Sequence, residues 1–216
     1  MELNVNILPL TPLSDLTLQI DLDVRIVTIP SEQVAAMLNH AFENELDLLP
    51  FLLFGFFAGV RPDGELQKLN WRDVDLTDAE RAVLVIRPEV SKTNRRRFVD
   101  LSPNIVAWIE AFRRRGGKLE GRISPFAPYK LLARRRGNWG AVGIRPWPRQ
   151  GMRHSYCSYW LAMHKDINKL VLQSGHTSVD TMWRHYHRGT TEAEAKKFWA
   201  IMPPPNASNV VRMSAG

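Results

Sequence analysis

The run LLPFLLFGFFAGV, Leu48 to Val60, holds no charged or hydrogen-bonding side chain. A helix that is apolar on every side has no face to turn toward water, so other elements must enclose it. The run falls short of the ~18 apolar residues that a membrane-spanning helix needs. It is therefore read as the central helix of a folded domain, stopped near Gly59. Arg61 follows almost at once, and an arginine leaving a buried helix is held rigidly. Its ordinary use is to bond the helix's own last carbonyls.

The remaining elements are arranged around that helix. Residues 1–26 contain Pro9 and Pro12, alternate only weakly, and read as a leader or linker. Ser31 is a plausible cap for a helix whose stripe is Val34, Met37, Leu38, Ala41 and Phe42. A short helix is expected over Glu65, Leu66, Leu69 and Trp71, closed by Asp73 and Asp75. RAVLVI (81–86) and RFVDL (97–101) read as two strands, with Lys92 on the tip of the hairpin between them. Helices are expected at 104–115, 125–136, 150–163, 168–174, 177–183 and 191–201. GNWGAVGIRPWP, rich in glycine and proline, reads as a loop. Residues 27–203 thus form one domain, mostly α with a small antiparallel sheet (α+β), and 204–216 are a tail.

The sequence has 29 Lys+Arg against 22 Asp+Glu, a formal charge of +7. A basic surplus in a folded domain points first to nucleic acid. Arginine is clustered in three triplets: Arg95, Arg96, Arg97; Arg113, Arg114, Arg115; and Arg134, Arg135, Arg136. One triplet is ordinarily a wet face, whereas three suit a surface that tracks phosphates. The single cysteine, Cys157, excludes an internal disulfide and reads as a core thiol. No signal segment is evident, and the protein is read as cytoplasmic and nucleoid-associated, with no membrane partner. His185 and His187 flank Tyr186, but their spacing with His176 matches no common zinc site, so no metal is expected.

Four segments, in order, resemble the tyrosine recombinase (phage integrase) family. FAGVRPDGELQKLNWRDVDL is similar to its G-x-R-x-x-E-L-x-x-L-x-W, with Arg61 at the first catalytic arginine. SKTNRRRFVDL is similar to its K-T-x-x-x-R-x-V-x-L hairpin, with Lys92 at the lysine. QGMRHSYCSYWLA is similar to H-x-x-R-H-S/T-F-A-S, with Arg153 at the second arginine. LQSGHTSVDTMWRHY is similar to L-G-H followed by the nucleophile, placing His176 and Tyr186. Five ordered matches spanning Ile26 to Pro203 carry a specificity that no single motif has.

The resemblance implies strand cleavage and rejoining of double-stranded DNA through a 3′-phosphotyrosine. Tyr186 would attack, Arg61 and Arg153 would hold the phosphate oxygens, and Lys92 would protonate the leaving 5′ oxygen. His176 would donate to a non-bridging oxygen, and His154 would buttress the site or face DNA with the arginine triplets. No cofactor is implied, and the assembly would be a tetramer on two duplexes. Two positions depart from the family: Glu65 follows Arg61 by four residues instead of three, and Gln150 stands where a histidine is usual. Family members usually carry an N-terminal DNA clamp domain, where this sequence has only residues 1–26. A DNA-binding remnant without cleavage and a basic protein-binding scaffold are the alternatives.

Overall fold

The computed structural model describes residues 27–78, 81–186 and 190–205, with backbone alone at 181, 184 and 185. The expected leader, His187 and the tail from 206 lie outside the described residues, as does the His185 side chain. Among the described residues there are eight α-helices and one three-stranded sheet.

Helix α1 (Ser31–Asn44) buries the expected stripe Val34, Met37, Leu38, Ala41 and Phe42. Pro30, not Ser31, is its cap residue. Every residue of α2 (Leu49–Phe57) is buried, as its sequence demands. The neighbour that encloses it most closely is α5 (Gly151–His164). Two glycines permit the approach. A Cβ on Gly55 would lie 2.7 Å from the Met152 sulfur, and one on Gly59 would lie 2.2 Å from a Tyr156 ring carbon. Gly59 also has φ +60°, a conformation that other residues reach only with strain.

One expectation between α2 and the sheet is corrected. No α-helix forms over 65–71; the chain makes turns there and a 3-10 turn at Trp71–Asp73. The reason is that Glu65 points inward to arginines, while Asn70 and Asp73 cap the short turn reciprocally. Asp73 is buried and bonded by Arg87 at 2.8 Å, and β1 (Val74–Asp75) adds an edge strand. The expected hairpin is present as β2 (Val83–Ile86) and β3 (Arg97–Asp100), antiparallel in the order β1-β2-β3. Its register pairs Leu84 with Val99 and Ile86 with Arg97.

Helix α3 (Pro103–Arg114) turns Ile105, Trp108, Ile109 and Phe112 into the core. Helix α4 (Pro128–Ala141) runs through residues expected to be a loop. Tertiary contacts override the glycines there. Buried Asn138 donates to the Met37 carbonyl, and Trp139 stacks on Trp147 with ring centres 3.7 Å apart. Beyond α5 come α6 (Ile167–Ser174), α7 (Val179–Tyr186) and α8 (Glu192–Trp199). Thr191 caps α8 in a capping box with Glu194, and Phe198 stacks on Tyr159 at 4.2 Å.

Gly59→Ala should cost about 3 kcal/mol, combining left-handed strain with displacement of Tyr156. Urea unfolding of the two forms measures this, and a loss under ~0.5 kcal/mol would contradict the close packing of α2 on α5.

Candidate active site

The site lies where four segments meet: the end of α2, the β2–β3 hairpin, the start of α5, and the turn after α6. Gly175 ends α6 in a left-handed conformation, φ +68°. That reversal leaves the carbonyls of Ser174 and Gly175 facing the arginines and sets His176 beside them.

Arg61 does not bond the last carbonyls of α2, which is the ordinary use of a helix-terminal arginine. Its Nη1 lies 2.7 Å from Glu65 Oε1 and its Nη2 donates to the Gly175 carbonyl at 3.1 Å. Arg153, 2% exposed, donates to the carbonyls of Gly59 and Ser174, both at 2.7 Å. Its Nη2 also faces the His176 ring at 3.2–3.4 Å. The Ser174 hydroxyl directs its hydrogen to the Leu170 carbonyl at 2.6 Å. Its 2.7 Å contact with His176 Nδ1 therefore needs the imidazole to donate, leaving Nε2 as the acceptor toward Arg153. Burial, then Arg153, Arg61 and His154, hold His176 down to about 3, so it is uncharged near neutrality.

Glu65, 2% exposed, is the carboxylate around which the cations gather. It accepts from both ends of the Arg97 guanidinium, at 3.1 and 2.6 Å, from Arg61, and from the backbone N–H of Lys92 at 3.2 Å. Burial by itself would raise its pKa, but Arg97 and Arg61 prevail and bring it to about 2. The four-residue spacing from Arg61 thus still delivers the carboxylate to the arginine. Lys92 sits in the hairpin connection with an exposed side chain, tethered by its backbone to Glu65.

Tyr186 ends α7 and is 4% exposed. Its phenol oxygen is 2.8 Å from His154 Nδ1, and its ring centre is 6.3 Å from that of His176. Its lower part packs among Tyr156, Cys157, Trp160, Leu161, Leu170 and Met182. Burial raises its pKa, with Arg153 opposing, so the hydroxyl keeps its proton. Arg61, Arg153, His176 and Tyr186 are therefore brought to one place, with Lys92 on its rim.

Three residues assigned to DNA from sequence have other positions. Arg97 pairs with Ile86 across the hairpin, and period-two alternation puts it on the same inward face as Val99. It is buried against Glu65 and the Gln173 carbonyl, not on a phosphate-tracking surface. Arg135 is largely buried, lying over Phe51 and Trp139 and paired with Asp63 at 3.3 Å. His154 is at the tyrosine hydroxyl. Arg95, Arg96 and Arg136 are exposed; Arg134 is exposed and paired with Glu45 at 3.2 Å.

Gln150 precedes α5 in a left-handed conformation, φ +54°. It lines a cleft of about 560 Å³ with Arg135, Arg136, Arg145 and Arg149, beside Pro62. Arg145 and Trp147 were missed in the sequence because they fall in a segment read only as a loop, and Arg149 lies between that segment and the helix expected at 150–163. Gln173 and Ser174 were missed as well; the signal was a polar pair facing inward at the end of an amphipathic helix. Among the described residues no group of three His, Cys, Asp or Glu could hold a metal ion. None of the described helices is long and apolar enough to cross a membrane.

No protein-family model matches this sequence, and no curated protein matches it. Solved structures do match it. XerA recombinase superposes with a TM-score of 0.59 at 19% identity, covering 80% of this chain and 64% of that one. XerH site-specific recombinase in a post-cleavage complex with its difH substrate gives 0.58 at 18% identity, covering 76% and 50%. The catalytic domain of bacteriophage HP1 integrase gives 0.55 at 16% identity, covering 79% and 92%. The chain thus spans less than two thirds of XerA and half of XerH, but most of the HP1 catalytic domain. Its fold is that of tyrosine recombinase catalytic domains.

Glu65→Gln should lower stability by about 3 kcal/mol, since it leaves Arg97 buried without a counter-charge. In the wild type the carboxylate's contribution, roughly 3 kcal/mol, is complete above pH ~4.5 and is lost as pH falls toward 2. Unfolding free energies from pH 7 down to 2.5 check both. A pH dependence equal in wild type and variant would refute the assignment.

Proposed function

We propose that this chain cleaves and rejoins double-stranded DNA by transesterification, with Tyr186 as the nucleophile. The observation that carries the reading is the meeting at the Ser174–Gly175–His176 turn. Arg61 and Arg153 both bond that turn, and the Tyr186 ring lies beside it. A phosphodiester gains negative charge as it becomes five-coordinate. Two guanidiniums held in fixed orientation match those oxygens without reorganising. Their present carbonyl partners keep them desolvated and aimed, and DNA oxygens would share or replace those bonds.

The 5′ oxygen leaves as an alkoxide unless it is protonated in step. Lys92, exposed on a hairpin whose backbone is anchored to Glu65, supplies a proton from the solvent side. Energy stored in the phosphotyrosine drives the reverse attack, so neither nucleotide nor metal takes part in the scheme. With the phenol 4% exposed in the free chain, DNA binding must draw it toward the phosphate before attack. XerH is described in complex with its difH DNA, and the Tn1549 transposon integrase with circular intermediate DNA. By analogy the partner here is a DNA duplex, engaged by copies of this chain assembled as a tetramer.

A second reading is DNA binding without cleavage. The enclosed phenol and Gln150, an amide that cannot carry a proton, favour it. Nicked duplexes of randomised sequence separate the two. The wild type should form an SDS-resistant protein–DNA adduct, and Tyr186→Phe should form none while binding DNA equally. Binding without any adduct would establish the second reading.

The arginine cleft beside Gln150 supplies phosphate contacts in either reading. Arg136→Ala with Arg149→Ala should flatten the dependence of log K on log salt by about 2, close to one for each lost contact. An unchanged slope in a salt titration of duplex binding would remove the cleft from the interface.

A further inference from the structure

We infer that His154 is the general base that takes the proton from Tyr186 during attack. This rests on the cleavage reading above and goes beyond it, because that reading leaves the phenol's proton without an acceptor. Gln150 stands at the histidine position of the resembled family, and an amide accepts a hydrogen bond but not a proton. His154 lies four residues on, in the first turn of α5, and its backbone N–H donates to the Gln150 carbonyl at 3.0 Å.

The geometry supplies the rest. His154 Nδ1 is 2.8 Å from the phenol oxygen, within the distance a proton transfer needs. The Cys157 thiol, one turn further along α5, reaches the same oxygen. Burial pushes that thiol up to about 11, so it keeps its hydrogen and does not compete for the proton as a thiolate. The phenol keeps its own as well. For the transfer the phenol must donate to Nδ1, along the 2.8 Å contact. The transfer therefore requires the Nε2–H tautomer, with Nδ1 as acceptor. His176 is poorly placed for the same task, because its two nitrogens are engaged by Ser174 and Arg153.

The step balances without any co-reactant. The phenol O–H bond breaks and its proton passes to His154 Nδ1. The oxygen's electron pair forms the bond to phosphorus, and the bond from phosphorus to the 5′ oxygen breaks. That oxygen takes its proton from Lys92. The positive charge gained by the imidazole arises beside a phosphate that is gaining negative charge. Religation runs the same transfers backward, returning the proton from His154 to Tyr186.

Two measurements test the assignment. Long-range ¹H–¹⁵N NMR of the ¹⁵N-histidine-labelled free protein should show His154 Nδ1 without a hydrogen, and its shift should move in Tyr186→Phe. A hydrogen on Nδ1 would overturn the assignment whatever the activity. The second measurement is single-turnover adduct formation on randomised duplexes carrying a 5′-bridging phosphorothiolate, whose leaving group needs no acid. His154→Gln should slow it about 100-fold. Added imidazole should restore part of the rate to His154→Ala, and Lys92→Ala should run near the wild-type rate. A wild-type adduct formed no more than twofold faster than in His154→Gln would end the base assignment while leaving the cleavage reading standing. No adduct from the wild type would end the cleavage reading and the base with it.

Discussion

A single buried carboxylate, Glu65, holds three separate parts of the chain in register. It accepts from Arg61 at the end of the apolar helix, from Arg97 on the inner face of the hairpin, and from the N–H of Lys92 in the hairpin connection. Burying two guanidiniums is costly unless a counter-charge and hydrogen bonds compensate. The Gln173 and Gly175 carbonyls complete that compensation. Both arginines thus sit over the α6–α7 turn, where these groups compensate their charge. The placement of the hairpin, and of Lys92 with it, follows from the same bonds.

Helix α5 carries the other half of the site and is itself held by the apolar core. Met152 and Tyr156 meet α2 at its two glycines, and Tyr159 meets α8 through Phe198. Between those inward residues, Arg153 projects under the turn after α6 and His154 toward the end of α7. Rigid packing on one side of the helix aims the polar groups on its other sides. An arginine almost free of solvent contact keeps its orientation because three acceptors surround it, the Gly59 and Ser174 carbonyls and His176 Nε2.

Arginine in this chain is divided by depth. Arg97 and Arg153 are buried and Arg61 half-buried, all three bonded to protein groups, whereas Arg95, Arg96, Arg136, Arg145 and Arg149 are exposed. Arg97 and Arg96 are neighbours in sequence yet fall in different classes, because β3 begins at Arg97 and turns that side chain inward, while Arg96 lies in the exposed connection before it. Runs of like charge are poor guides to a binding surface for that reason. The pairing partner Ile86 is the residue that marks Arg97 as interior.

The all-apolar stretch 48–60, the amphipathic stripe of α1 and the β-branched strands already dictated a helical domain with a small sheet. The order of Arg61, Lys92, Arg153, His176 and Tyr186 was legible too, since each lies in a local pattern that sequence preserves. What the sequence could not display was distance. Local spacing does not reveal that Glu65 turns inward to Arg97, that α4 continues through its glycines because Trp139 finds Trp147, or that His154 lies against the Tyr186 hydroxyl. Each of these depends on contacts between residues 8 to 32 positions apart. Buried polar groups and facing rings find such partners only after the apolar core has set the helices side by side, so the tertiary fold alone decided them.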